Sequence, residues 1–448
     1  MKRVLLLLAL TLLFTACEPV SDPVSEPEVP VDNTVTLDNS YAITCPEFSK
    51  NVPKDMFWKV CQAVREFCPD VTIQDDFYKE ESEIAEKEIL IGPTNRPESN
   101  VEFVDQDEFV VKMTNGKLVI NAANTVALDA ACAWFCNRIQ TEGLSFAADF
   151  CYVGNLEDAE EKLLLVADQA GNRAAILNIG RGYAEEKALW QVYPKNGSNI
   201  AGLKYRKTDK YGEVVLLAYW NSATMYEYPS GKVLWKASSY AAENPHSIEI
   251  SPDGRIIAVA SSTGGEVRFY NTDGKPRQYT SVPLSGAHGV LYDPEYEWFW
   301  MISGSSLVAY TAEIAEDGSI AVAEVPGKTY TPKRGGLHDL QPYAGDNNKL
   351  WISAWDTVYV FDKEKGTFSI SYDNKNQINR PHVKGISQFP DGTTALVFPD
   401  GDRQGWTSPT ILCSYYLPFA ETEVFLTVKL PENTHIYKLR AFISDYQY

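Results

Sequence analysis

The chain has 448 residues, 44% of them hydrophobic and 22% charged, which is enough apolar material for more than one buried core. Its 60 acidic against 40 basic side chains leave a net charge of −20. No Lys/Arg cluster interrupts that acidity, so a nucleic-acid binder, which needs a basic face, is excluded; the plain reason for the charge is solubility.

The N-terminus opens with Met1-Lys2-Arg3, followed by an apolar run from Val4 to Phe14 and then Thr15-Ala16-Cys17. A basic start, a run too short to span a bilayer and small residues before the cut define a secretory signal peptide. The pattern resembles a bacterial lipoprotein signal, in which the cysteine is lipidated. Phe14 departs from the Leu or Val usual in that motif, and an ordinary signal peptide cut near Ala16 is the alternative. No other stretch is apolar enough to span, so the expected attachment is a lipid on Cys17. The expected place is the outer membrane of a Gram-negative cell envelope. Residues 18–38 are Pro-rich and acidic, and they read as a disordered tether.

Residues 39–157 read as a small α/β domain. Thr34 to Ile43 is strand-like. Lys54 to Cys68 places Phe57, Val60, Cys61, Val64, Phe67 and Cys68 at helical spacing. Glu88-Ile-Leu-Ile-Gly92 is a short buried strand. Phe109–Met113 and Lys117–Asn121 flank Asn115-Gly116, a hairpin signal. Asn124 opens a second helix that runs through Ile139. Six of the eight cysteines fall here, and pairing in disulfides or burial as free thiols both stay open. The run Glu88 to Glu98 resembles the non-catalytic α/β domain that precedes many glycoside hydrolases. The likeness brings no catalytic residue with it.

From residue 158 to the end the periodicity changes to short strands separated by turns such as Pro252-Asp-Gly254, Asp273-Gly274 and Pro390-Asp-Gly392. Six units can be counted. The first lacks its opening strand, and a spare strand, His435–Ile443, ends the chain. The expected fold is therefore an all-β six-bladed propeller closed by the C-terminal strand, which completes the first blade. A seventh blade would need a unit that the count does not contain.

All five histidines fall near the start of a blade's first strand: His246, His288, His338, His382 and His435. In a propeller those positions share one mouth of the central channel. His382 starts about two residues early relative to its Pro-Asp-Gly turn, so Lys384 competes for its place. Inter-blade mortar would give the same spacing. Different neighbours at each site favour a cluster instead. Neutral imidazoles ligate divalent ions and exchange protons near neutral pH. The candidate metal ligands are His246, His288, His338, His382, His435 and Gln169, for Mn, Zn or Ca. The candidate catalytic groups are His288, His338 and Lys384. Trp220, Trp355 and Trp406 read as platforms for sugar rings and Arg403 as a carboxylate partner, all on loops of the same face.

The runs Val166–Arg173, Asn244–Glu249, Val259–Gly264, Ala287–Val290 and His338–Leu340 resemble an uncharacterised group of bacterial extracellular six-bladed propellers. That resemblance implies the fold and no activity. More distantly, a histidine cluster on a propeller axis is similar to oligogalacturonate lyase, where three histidines and a glutamine hold manganese. His246, His288, His338 and Gln169 would take those parts. The expected function is a lipid-anchored envelope protein that binds, and in the stronger reading cleaves, a polysaccharide or oligosaccharide. A non-catalytic glycan- or protein-binding lipoprotein is the alternative. No Gly-x-Ser-x-Gly elbow, P-loop, dinucleotide fingerprint or His-Glu-x-x-His is present.

Overall fold

The structure, a computed structural model, describes residues 33–47, 52–156, 160–195, 199–237, 243–371, 377–399 and 405–448. The signal segment, Cys17 and Arg403 lie outside the described residues. Six four-stranded antiparallel sheets form the blades of a propeller. The inner strands of the second to sixth blades are Ile200–Thr208, Pro245–Ile250, Gly289–Asp293, Asp339–Pro342 and Gly385–Gln388. The inner strand of the first blade is Ile436–Ala441, which pairs antiparallel with Leu163–Asp168. The C-terminal strand thus completes the blade begun some 270 residues earlier.

Period-two alternation explains how the blades stick together. Leu164 and Val166, with Leu439 of the same blade, face the sixth blade, where they join Ala395 and Val397. Leu165 and Ala167, one residue out of phase, face the second blade and join Leu203, Val215 and Leu217. The same division recurs around the ring, so each apolar cluster lies between two neighbouring blades. Inner strands approach closely near the axis. A Cβ at Gly202 would sit 2.8 Å from Ser247 Cα and 2.9 Å from His246 O, so only glycine fits there.

The N-terminal segment folds as a mixed six-stranded sheet with two helices, α1 (Lys54–Arg65) and α2 (Thr125–Glu142). Asn124 caps α2 by accepting from Val126 N and Ala127 N at 2.9 and 3.0 Å. Asn115 and Gly116 both take positive φ, as a two-residue hairpin turn of this kind requires. Two strands, Thr72–Asp75 and Cys151–Gly154, lack the apolar run that would announce them. Thr34–Thr36, within the strand-like run, is a strand paired with Ser145–Ala147. All seven described cysteines are free, and Cys151 alone among them is exposed.

This sheet shares its core with the junction of the first and sixth blades. Asp129 on α2 accepts from Phe419 N and Ala420 N, both at 3.1 Å, and Arg181 pairs with Asp107 at 3.1 Å. Among the described residues no helix is long and apolar enough to cross a membrane.

After its last strand the chain turns across the far end of the channel. Phe442 stacks on Tyr205 with centroids 3.8 Å apart, and Arg206 donates to Asp445 O at 3.0 Å. The Tyr446 ring lies under Arg206, Tyr448 O accepts from Gly345 N at 2.8 Å, and Tyr448 Oη donates to Gln388 O at 2.8 Å. The tail therefore touches the ends of several inner strands and covers that mouth.

Candidate functional site

At the opposite mouth lies a cup of about 370 Å³, lined by Gln169, Asn199, Ala201, Asn244, His246, Ser262, His288, His338, Lys384, Trp406 and Tyr437. Three imidazoles stand side by side around it. The His246 and His288 rings are 4.5 Å apart, and the His288 and His338 rings 5.0 Å apart.

The backbone explains which residues meet there. The N–H groups of His288, His338 and Lys384 each donate to a carbonyl near the end of the neighbouring second strand: Ile302 O, Ser353 O and Val397 O. These three positions are equivalent, and in the sixth blade the equivalent is Lys384. His382, at positive φ, lies one turn outside and packs edge-on against Trp355 with centroids 4.7 Å apart. In the first blade a register shift between Ile436 and Leu439 brings Tyr437 to the cup. His435 instead joins the loop through its backbone, with its N–H on Asp168 Oδ1 at 3.2 Å and its carbonyl accepting from Gln169 N at 2.9 Å. Three of the five histidines line the cup; His382 and His435 do not.

Two of the rings are held alike and the third differently. His246 Nδ1 lies 2.9 Å from Asn244 O, and His288 Nδ1 lies 2.8 Å from Gly286 O. A carbonyl only accepts, so both rings donate from Nδ1 and keep a lone pair on Nε2. His288 Nε2 is 3.5 Å from Ser262 Oγ. His338 Nε2 accepts from Lys384 Nζ at 3.1 Å, and its buried Nδ1 has no hydrogen-bond partner among the described residues.

Burial, then His288 and Lys438, push His246 down to about 3. Burial, working against the Gly286 hydrogen bond, puts His288 at about 4, and burial with the Lys384 ammonium puts His338 at about 2. All three are neutral at physiological pH. Burial also lowers Lys384.

Behind the three histidines, buried and not among the residues lining the cup, lies an ammonium that the sequence did not single out, Lys438. Lys438 Nζ donates to three carbonyls, His246 O at 3.3 Å, His288 O at 3.4 Å and His338 O at 3.0 Å, and to Asp339 Oδ1 at 3.3 Å. Burial lowers Lys438 to about 8 although Asp339 works against it. Asp339 also accepts two hydrogen bonds from Arg440, at 2.8 and 2.7 Å, and one from Ile386 N at 3.1 Å. Deeper still, Arg206 clasps Glu249 with bonds of 2.9 and 2.8 Å, and Lys204 lies 3.6 Å from the same carboxylate. The alternation Lys438, Arg440 inside Ile436–Ala441 was the signal available for this column.

The rim is only partly as expected. Trp406 lines the cup, 46% exposed, and its indole N–H donates to Gln169 Oε1 at 3.0 Å. Gln169 Nε2 donates to Ile200 O at 3.0 Å, so both ends of that amide are engaged. Trp355, 55% exposed, stands at the edge, its ring 6.1 Å from His338 and 5.5 Å from Lys384 Nζ. Trp220 is exposed at a hairpin turn and does not line the cup.

The fit to a divalent ion is incomplete. His246 and His288 hold their rings as metal ligands do, with Nδ1–H on a backbone carbonyl. His338 spends its Nε2 on Lys384, and Gln169 spends its Oε1 on Trp406. Among the described residues no group of three or more His, Cys, Asp or Glu is arranged to hold a metal ion.

No curated protein matches the chain. Similar solved structures include a chain of the nidogen/laminin complex, at 15% identity and TM-score 0.45, covering 63% of this chain and 99% of that one. Another is the hydrazine synthase of Kuenenia stuttgartiensis, at 12% identity and TM-score 0.35, covering 52% and 66%. Likenesses at this level say nothing about activity. Residues 230–407, a span that holds His246, His288, His338, Lys384 and Trp406 but neither Tyr437 nor Lys438, match a family described as "Family of unknown function (DUF6528)".

Proposed function

We propose that the protein is an envelope lipoprotein, anchored through Cys17, that binds a saccharide chain in the axial cup. One observation carries this reading: three neutral imidazoles and Lys384, drawn from four blades, line a single cavity beside the exposed faces of Trp406 and Trp355. Indole faces cover the C–H side of a sugar ring, while imidazole and amide groups meet its hydroxyls. In this reading the N-terminal α/β unit is the accessory domain that its likeness to those preceding glycoside hydrolases implies.

The same groups allow cleavage of an acidic chain. Neutral His288, whose Nε2 keeps its lone pair, takes the proton from the carbon beside the carboxyl group. The freed electron pair becomes a C=C bond, the C–O bond to the next sugar breaks, and the departing oxygen collects the abstracted proton. A second reading, a divalent ion on His246 and His288, is favoured by their shared tautomer. A rise in thermal stability on adding Mn, Zn or Ca, abolished in His246→Ala, would support it.

The test of saccharide binding is calorimetry of the lipid-free protein against a panel of neutral and acidic oligosaccharides. Trp406→Ala is expected to weaken a hit about tenfold, the loss of one stacked ring being about 1–2 kcal/mol. Binding that ignores both Trp406 and His288 removes the reading. An ultraviolet-absorbing unsaturated product separates cleavage from capture alone.

A further inference from the structure

We infer that the occupant of the axial cup carries a carboxylate, and that Lys384 is its counter-ion; the ligand class is a uronic acid or a similar sugar acid. This rests on the cup's being a saccharide site.

Buried cations elsewhere in the described molecule are paired with carboxylates. Lys117 pairs with Glu88 at 2.7 Å, Lys162 with Asp391 at 2.5 Å and Lys363 with Asp293 at 2.7 Å. Lys204 lies 3.6 Å from Glu249, and Lys438 3.3 Å from Asp339. Arg96, Arg206 and Arg440 each hold a carboxylate at 2.7–3.0 Å. Lys384 is the exception among the described buried lysines and arginines: its Nζ meets a neutral imidazole at 3.1 Å and the face of Trp355, and no carboxylate. A buried ammonium without an anion is costly, and in this acidic protein the surroundings have otherwise supplied one every time.

The cup itself offers none. Its lining contains no Asp or Glu. Asp339, the buried acid that follows His338, is already engaged by Arg440, Lys438 and Ile386 N. The cup beside Lys384 is where the missing anion would sit.

The imidazoles narrow the chemistry. His246 and His288 hold Nε2 lone pairs, so they ask for donors. A phosphate or sulfate brings acceptors and would face those lone pairs. A sugar acid brings hydroxyl donors for the imidazoles and one carboxylate for Lys384.

Calorimetry on the lipid-free protein tests this with galacturonate and glucuronate oligosaccharides, their methyl esters, and sodium acetate and sulfate alone. The acid form is expected to bind at least about tenfold tighter than its ester, a difference of about 1.4 kcal/mol. Lys384→Met should abolish the preference, bringing the acid down to the level of the ester. Lys384→Arg should restore most of the preference. Thermal melting checks that both variants fold, and the acid–ester comparison on the parent protein stands without them. Equal binding of acid and ester overturns the inference while the saccharide reading survives. Sulfate or acetate binding as tightly as the uronate also overturns it. If no saccharide binds, both readings fall.

Discussion

Replacing Asp339 by Asn removes one negative charge from the middle of the propeller and little volume. In the parent, this carboxylate faces Arg440 through two bonds of 2.7 and 2.8 Å and Lys438 at 3.3 Å. Burial disfavours its charge, yet Arg440 and Lys438 hold it down to about 2. The variant leaves two cations buried on the axis without a carboxylate. Breaking a buried pair by removing one partner costs about 3–5 kcal/mol, a large part of the 5–15 kcal/mol that typically separates folded from unfolded chains. The two cations respond differently. A guanidinium does not give up its proton in a protein, whereas Lys438, already lowered to about 8, can shed its own. In the variant Lys438 falls further, so its native state binds fewer protons than the unfolded chain across neutral pH, and its stability rises with pH there. The parent lacks that slope below about pH 8. The gap between parent and variant should therefore be widest near neutrality and narrow by up to about 1.4 kcal/mol per pH unit towards pH 8. Urea titrations near pH 7 and pH 8 read both quantities. An unchanged midpoint, or a gap that widens with pH, would refute the reasoning about the axial column.

The three imidazoles make the fold acid-sensitive. Below pH 6.5 the unfolded chain takes up protons while His246, His288 and His338 stay neutral until about 3, 4 and 2, so stability falls as pH drops and is unaffected by these groups above 6.5. Each contributes at most about 1.4 kcal/mol per pH unit; denaturant midpoints measured from pH 7 to pH 5 should fall more gently in His338→Gln, and an equal slope would contradict the burial argument. Deleting residues 443–448 strips Arg206, Gly345 N and Gln388 O of their partners and uncovers the channel. A loss on the order of 3–6 kcal/mol is expected from those bonds and the buried Tyr446 ring, and a truncated chain with the parent's urea midpoint would show that the tail is not part of the folded unit.

Blade number, strand alternation and the completing C-terminal strand were legible in the chain, because period-two burial on both sides of a blade writes itself into sequences such as Leu163–Ala167. The hairpin at Asn115-Gly116 and the cap at Asn124 were legible for the same reason: local backbone geometry selects its residues locally. The meeting place of His246, His288 and His338 followed from their common position in the repeat. What the sequence left undecided was set by single-residue register and by distant partners. A register shift turned Tyr437 towards the cup, and a positive φ at His382 gave that place to Lys384. Lys438 finds three carbonyls and a carboxylate from other blades, and the tail lies across strand ends more than a hundred residues away. A ring closed by its last strand assembles such contacts only when the whole chain is in place, so pattern along the chain sets the elements and closure of the ring decides which side chains face one another.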